Sequence, residues 1–216
     1  MKKAPAAARR DLFVLVADSH AKATFSGLLL HRREALGIGA LSLDSEQDIL
    51  VHIERDGGCR ARGEAFLQPL CTQYKHALLI FDHEGSGAEK TSPEQLENQL
   101  EERLSNSGWG DRAAAIVLVP ELETLVWSDS PEVDHVLGWN GREIPLRNWL
   151  IEQHFISQKS EKPTRPKEAL AAAIRQVRTP LSAALFSQLE MRVSLRRCHD
   201  RAFLKFKSRL KQWFPV

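Results

Sequence analysis

The chain is poor in cysteine. Its three thiols, Cys59, Cys71 and Cys198, are far apart. This argues against a disulfide framework and against a zinc site with paired-cysteine spacing. It also lacks any apolar run long enough to cross a bilayer, so no membrane association is expected. Met1 to Arg10 is basic and alanine-rich, with no apolar stretch ahead of Leu12. No signal peptide is therefore predicted, and the expected compartment is cytoplasmic. Several catalytic signatures are missing as well. Gly85-Ser86-Gly87 is too short for a phosphate-binding loop and has no lysine. No dinucleotide fingerprint is present. Glu84-Gly85-Ser86-Gly87 only brushes the nucleophile-elbow pattern, so Ser86 is set aside as a nucleophile, as is Ser19.

What the chain does have is short apolar runs that break off at carboxylates. Leu78-Leu79-Ile80-Phe81 ends in Asp82-His83-Glu84, and Ile116-Val117-Leu118-Val119 leads through Pro120 to Glu121-Leu122-Glu123. An earlier run, Leu12-Phe13-Val14-Leu15-Val16, ends in Ala17-Asp18-Ser19-His20. Runs of this length read as buried strands of a parallel sheet. Helical patterns alternate with them, at about 22–33, 61–74 and 92–105. In the last of these Ser92 is placed to cap and Pro93 to open the helix. Ala40–Leu43 is a further candidate strand. Ile49–Ile53 reads as a strand or a short helix, and Asp56-Gly57-Gly58 as a turn. The fold class expected is α/β, a mostly parallel central sheet flanked by helices.

After Glu123 the texture turns helical. Segments 145–155, 167–178 and 182–214 are predicted helices, the last with a break near Cys198-His199. The expected division is an α/β core over 1–135 and a basic helical region over 136–216 packed on it. Trp213 and Phe214 are expected to anchor the end of the chain.

A net charge of +2 conceals an asymmetry. Asp82 to Asp134 holds 13 acids and 3 bases, a net of −10, whereas Lys159 to Val216 holds 14 bases and 4 acids, a net of +10. Two readings follow. The basic region can meet nucleic-acid phosphates, or the two segments can face each other within the fold.

Functional sites of open α/β sheets lie outside the carboxyl ends of the strands. Asp18, Asp82, Glu84, Glu121 and Glu123 would all sit there, offering oxygen ligands suited to a hard divalent cation such as Mg²⁺. The bland alternative is a set of solvated carboxylates that cap helices or pair with bases. His20 and His83 also follow strand ends, where a histidine can act as a base or a phosphate contact. Structural roles fit them better, and the same holds for His199.

These acidic clusters resemble the Toprim-like superfamily, and within it a family of small bacterial proteins, several of which occur in phage-defence loci. In that family a first strand ends in a Val-Glu-Gly-x-x-Glu turn, a middle strand in Asp-x-Asp, and a third in Glu-x-Glu-x-Trp followed by Asp. Here Glu121-Leu122-Glu123 with Trp127 and Asp129 is similar to the third, with extra residues before the tryptophan. Asp82-His83-Glu84 is similar to the middle motif. Val16-Ala17-Asp18-Ser19-His20 stands in the first place, with aspartate for glutamate and no turn glycine. The tail is similar too, through Lys162-Pro163, Pro166-Lys167, Val193 to Cys198 with Arg196-Arg197, Phe203 and Leu210.

The resemblance implies a component of a bacterial antiviral defence system with Mg²⁺-dependent nuclease or related phosphodiester chemistry. It implies Asp18, Asp82 and Glu123 as catalytic residues, with Asp18 as acid/base. Asp18, Asp82, Glu84, Glu121 and Glu123 would hold the metal. It also implies other defence-system subunits as partners, including those of methylation-associated systems, and nucleic acid along the basic C-terminal region. A second reading stays open, because Asp18 is one methylene shorter than the glutamate it replaces. In that reading the chain is a catalytically degenerate scaffold or sensor subunit of a multi-protein complex.

Overall fold

A computed structural model of the chain describes residues 8–127, 130–159, 162–195 and 198–216. Four of the expectations above, Asp129, Arg196, Arg197 and most of the alanine-rich start, lie outside the described residues.

Strand β1 (Arg10–Val16) leads to helix α1 (Ser19–His31) and a short α2 (Arg33–Leu36). After α3 (Ser45–Asp48) come strand β2 (Ile49–Val51) and helix α4 (Arg55–Leu67). Strand β3 (Tyr74–Asp82), helix α5 (Pro93–Leu104) and strand β4 (Ala113–Leu118) complete the sheet. A 3₁₀ turn at Leu122–Leu125 then opens the helical part: α6 (Pro131–Leu137), α7 (Leu146–Glu152), α8 (Pro166–Val177), α9 (Ala183–Arg192) and α10 (Arg201–Trp213).

All strand pairings are parallel, in the order β2-β1-β3-β4. In β1 and β3 successive side chains face opposite sides, and both sides are covered, so the strands are apolar throughout rather than alternating. Leu12, Val14, Val16, Leu78, Ile80, Ile116 and Leu118 face one cluster, which α1 and the C-terminal helices close. Phe13, Leu15, Leu79, Phe81, Ala115 and Val117 face the other, closed by α4 and α5. The first cluster runs without interruption from Leu12 to Phe214. The helical region therefore supplies one of the two outer layers of the sheet.

The strand order fixes where a site can form. The chain leaves β1 for β2 on one side, then returns past β1 to β3 on the other. Accordingly α1 and α4 pack on opposite faces, as right-handed crossovers require. The reversal opens a crevice above the carboxyl ends of β1 and β3.

Three local expectations are corrected. Ala40–Leu43 is not a strand. β2 already pairs with β1 there, in the register Val14↔Ile49, and Ser42 instead donates its amide to Asp11 (2.9 Å). Asp56-Gly57-Gly58 is not a turn but the first turn of α4. The helix expected at about 61–74 spans Arg55–Leu67 instead, with Gly58, Cys59, Gly63 and Leu67 on its inward face. The helix lies so close to the sheet that a Cβ on Gly63 would stand 2.8 Å from the Leu79 methyls. The predicted break near Cys198 is present, and Asp200 caps α10 by accepting from the amides of Ala202 and Phe203 (3.0 and 3.3 Å).

Trp213 stacks on His76, with ring centroids 4.6 Å apart and planes 15° from parallel, and Phe214 is buried. The end of the chain is thereby pinned across the sheet's amino-terminal side.

Candidate functional site

Beyond the last residue of β3 this strand and its neighbour β4 stay tied together. The His83 amide donates to the Leu118 carbonyl (2.8 Å) and the Glu84 amide to the Pro120 carbonyl (2.9 Å). This holds Asp82 beside the segment carrying Glu121 and Glu123. The 3₁₀ turn then rotates both glutamates inward, leaving them 6% and 3% exposed. Carboxylate oxygens of Asp82, Glu121 and Glu123 lie within 4.8 Å of one another.

Two residues that strand-end reasoning passes over complete the rim. Asp56, in the first turn of α4, accepts the Asp82 amide (2.8 Å). Asp82 in turn accepts the Leu122 amide (2.9 Å). Lys167, in the first turn of α8, donates its amide to Glu121 (2.8 Å) and holds its ammonium 3.9 Å from the same carboxylate. The buried indole of Trp127 donates to the Pro166 carbonyl (3.0 Å) and so fixes α8 against the 3₁₀ turn.

The other expected residues divide. Asp18 caps α1, accepting the Ala21 amide (2.8 Å), yet is near enough for its charge to act on Asp56, Asp82 and Glu123. Glu84 is exposed and stands outside the close trio. The reason is local: β3 ends at Asp82, and Gly85 at φ +81° turns the chain away. His20 stacks on Phe186 (4.6 Å) and His83 meets the Thr91 carbonyl through Nε2 (2.9 Å). Both histidines are thus engaged in packing or loop closure. Ser86 is buried and its hydroxyl accepts the Ala88 amide (3.1 Å).

Burial and mutual repulsion dominate the electrostatics. Asp82 is pushed well above the usual carboxylate range, first by burial and then by the charges of Asp56, Glu123, Asp18 and Glu121. Asp56, Glu121 and Glu123 are raised as well, each mainly by burial. Lys167 is raised because Glu123, Glu121, Asp82 and Asp18 outweigh its own burial. The site thus has an excess of negative charge, with the Lys167 ammonium at its edge.

The donor set fits a hard divalent cation. It is all oxygen, and two oxygens bound to one Mg²⁺ at about 2.1 Å stand up to about 4.2 Å apart. Side-chain rotation by a fraction of an ångström would bring the trio within that span. A bound cation would also relieve the repulsion that raises these carboxyls.

The class that fold and site define is a parallel α/β protein with an acidic rim at its topological switch point. The chain matches no family model, no curated protein and no solved structure. Among the described residues no helix is long and apolar enough to cross a membrane.

Proposed function

We propose that this chain is a component of a bacterial antiviral defence system that carries Mg²⁺-dependent, Toprim-like nuclease or related phosphodiester activity. One observation carries the chemistry: Asp82, Glu121 and Glu123 converge within 4.8 Å at the carboxyl ends of neighbouring strands. The resemblance of the three acidic motifs carries the biological setting. When bound, the metal would supply charge stabilisation for the oxygens of a phosphodiester. Asp82, Glu121 and Glu123 would hold it, while Asp56 and the Leu122 amide keep Asp82 in place. Asp18, beside them at the end of β1, caps α1 through one carboxylate oxygen and would move a proton through the other. Lys167 would orient a phosphate at the rim.

A second reading is favoured by two details. Lys167 already provides a counter-charge to Glu121, and Asp18 serves as a helix cap. Both suit a degenerate scaffold or sensor subunit that docks other defence proteins. The test is cleavage of single- and double-stranded DNA and RNA in Mg²⁺ or Mn²⁺ against EDTA. Metal-dependent cleavage that disappears in Asp82→Asn and Glu123→Gln supports the enzyme. Absence of both cleavage and calorimetric metal binding, with defence intact in cells carrying those variants, overturns it in favour of the scaffold.

A further inference from the structure

The Gly85-Ser86-Gly87 segment after β3 lacks the length and the lysine of a phosphate-binding loop, yet it already holds an anion. The amides of Gly85 and Gly87 both donate to one carboxylate oxygen of Glu89, each at 3.0 Å. Both glycines have positive φ, +81° and +74°. Side chains rarely adopt that conformation, and here it lets two amides of one short segment converge on a single point, as in an anion-binding nest. Glu89 is exposed. Its carboxyl is held below the usual carboxylate range, first by its own amide and then by that of Gly87. A carboxylate seated this way gives up little packing when it leaves.

A second observation comes from α4. Arg60 is half-buried, and its Nε donates to the Ser86 carbonyl between the two glycines (2.6 Å). That bond fixes the guanidinium beside the loop, with Nη2 3.5 Å from where a Cβ on Gly87 would lie. Neither Nη nitrogen makes a hydrogen bond or an ion pair among the described residues. Two convergent amides and an uncommitted guanidinium thus flank one seat. The loop also stands against the acidic rim. A Cβ on Gly85 would lie 3.9 Å from Asp56, which holds the Asp82 amide. Gly85 is three residues past Asp82, so the two are within about 10 Å. At about 3.4 Å of rise per nucleotide, that is a span of two or three nucleotides of one strand.

We propose that the Gly85–Gly87 loop and Arg60 form a subsite for a backbone phosphodiester of a nucleic-acid strand, and that Glu89 occupies this subsite until the strand displaces it. A phosphodiester oxygen accepts the two amides as the carboxylate does, and a second oxygen meets the free Nη donors of Arg60. One monoanion replaces another, so the exchange leaves the local charge nearly unchanged. The choice of a strand rests on the phosphodiester reading of the rim, for which this loop would position the chain beside the metal.

A short oligothymidylate is titrated into the full chain in EDTA, and the Gly85 and Gly87 amide resonances are followed by NMR. Saturable shifts of both are expected. Glu89→Ala should bind about fivefold or more tightly, because the subsite is no longer self-occupied. Arg60→Gln should bind about tenfold more weakly, with Arg60→Lys between it and the parent. Glu123→Gln should bind as the parent does. If Glu89 only closes the loop, Glu89→Ala disorders the two amides and binds no more tightly, which overturns the proposal. So do amides that stay unmoved in both the parent and Glu89→Ala, an affinity that Arg60→Gln leaves unchanged, or inorganic phosphate that binds as tightly as the strand. Binding at this loop in EDTA without any cleavage in Mg²⁺ would overturn the enzymatic reading alone. Metal-dependent cleavage with both glycine amides unmoved would overturn the subsite alone.

Discussion

Arg201 and Glu97 meet at the outer edge of the sheet, with Nη1 2.7 Å from Oε2. Around that pair the exposed side of β4 is closed by side chains. Glu97 accepts the Val117 amide (2.8 Å), Glu101 accepts the Ala115 amide (3.2 Å), and Arg201 donates to the Val117 carbonyl (2.8 Å). Lys205 then bridges Glu97 and Glu101 (3.0 and 2.7 Å), and Arg209 reaches Glu101 (3.3 Å). A parallel edge strand left open is a template for pairing with other chains. Here helices α5 and α10 satisfy its backbone groups. Much of the charge asymmetry of the sequence is therefore used internally, between an acidic α5 and a basic α10.

This network should be costly to break from its centre. Glu97 is 3% exposed, and Glu97→Ala leaves the Val117 amide without its acceptor and takes one carboxylate partner from both Arg201 and Lys205. A loss of about 3–5 kcal/mol is expected, as for one partner of a buried pair. Arg201→Ala should cost less, because Arg201 is 35% exposed and water can replace it. Chemical denaturation of both variants checks the order. Light scattering should also show Glu97→Ala self-associating through β4.

The acidic rim should behave as a destabilised site that a cation rescues. Glu123→Gln removes a buried charge and Asp82→Asn a half-buried one. The amide oxygen introduced by Asp82→Asn can still accept the Leu122 amide, so the metal-free variants should equal or exceed the parent in stability. A divalent cation at a hundredfold excess over its dissociation constant should add about 2.7 kcal/mol to the parent. It should add little to either variant. Thermal unfolding in EDTA and in Mg²⁺ or Mn²⁺ measures both effects.

The pH dependence of that rim has a definite sign. Asp56, Asp82, Glu121 and Glu123 have folded pKa values above their unfolded ones. The folded state therefore holds extra protons between the two. Their contribution is fully present below about pH 4 and is lost as pH rises through the raised values. The stability difference between parent and Asp82→Asn should accordingly grow, in favour of the variant, as pH rises towards neutral in EDTA. Denaturant titrations across that range test it.

How far the site can be read in the sequence depends on contact range. Asp82, Glu121 and Glu123 follow apolar runs, so their place at a sheet rim is legible from order alone. Glu84 misleads, because the strand alternation that would aim it inward stops at Asp82. Asp56 is hidden by its approach: β2 has only three residues, and the two glycines after Asp56 look like a turn. Lys167 lies 46 residues from Glu121 and reaches the rim only because Trp127 anchors α8. The parallel sheet is legible because both its faces are covered, which makes its strands continuous apolar runs. The charge asymmetry is legible as a pattern, but only packing shows that α5 and α10 neutralise each other.

The sole tyrosine gives a clean optical probe at the opposite end of the sheet from the rim. Tyr74 is buried and donates to Asp48 (2.9 Å), which also receives Arg10 (2.8 Å) and the Asp44 amide (2.8 Å). Burial, and then the Asp48 carboxylate, push the phenol up to about 12. Stability from this group is complete below about pH 10 and is lost as pH rises through the folded value. Ultraviolet titration should place the phenol near that value in the parent. Asp48→Asn should bring it back towards 10, and unfolding should do the same.

Helix α4 supplies a test in which two known effects oppose each other. In an exposed helix interior, glycine to alanine gains about 1 kcal/mol. At Gly63 the added methyl would stand 2.8 Å from both Leu79 methyls, and Leu79 is fully buried in the central strand. Overpacking of a core typically costs about 1–3 kcal/mol, so Gly63→Ala should be neutral to destabilising rather than stabilising. At Gly58 the methyl meets the His52 ring and the Glu54 side chain. His52 is buried, and its Nδ1 accepts the Glu54 amide (3.1 Å), so neither can yield without breaking that bond. Gly58→Ala should therefore cost more than Gly63→Ala. It should also loosen the start of α4, where Asp56 holds the Asp82 amide. Denaturation midpoints rank the two variants, and a gain in stability for Gly63→Ala would show that α4 does not pack against the sheet this closely.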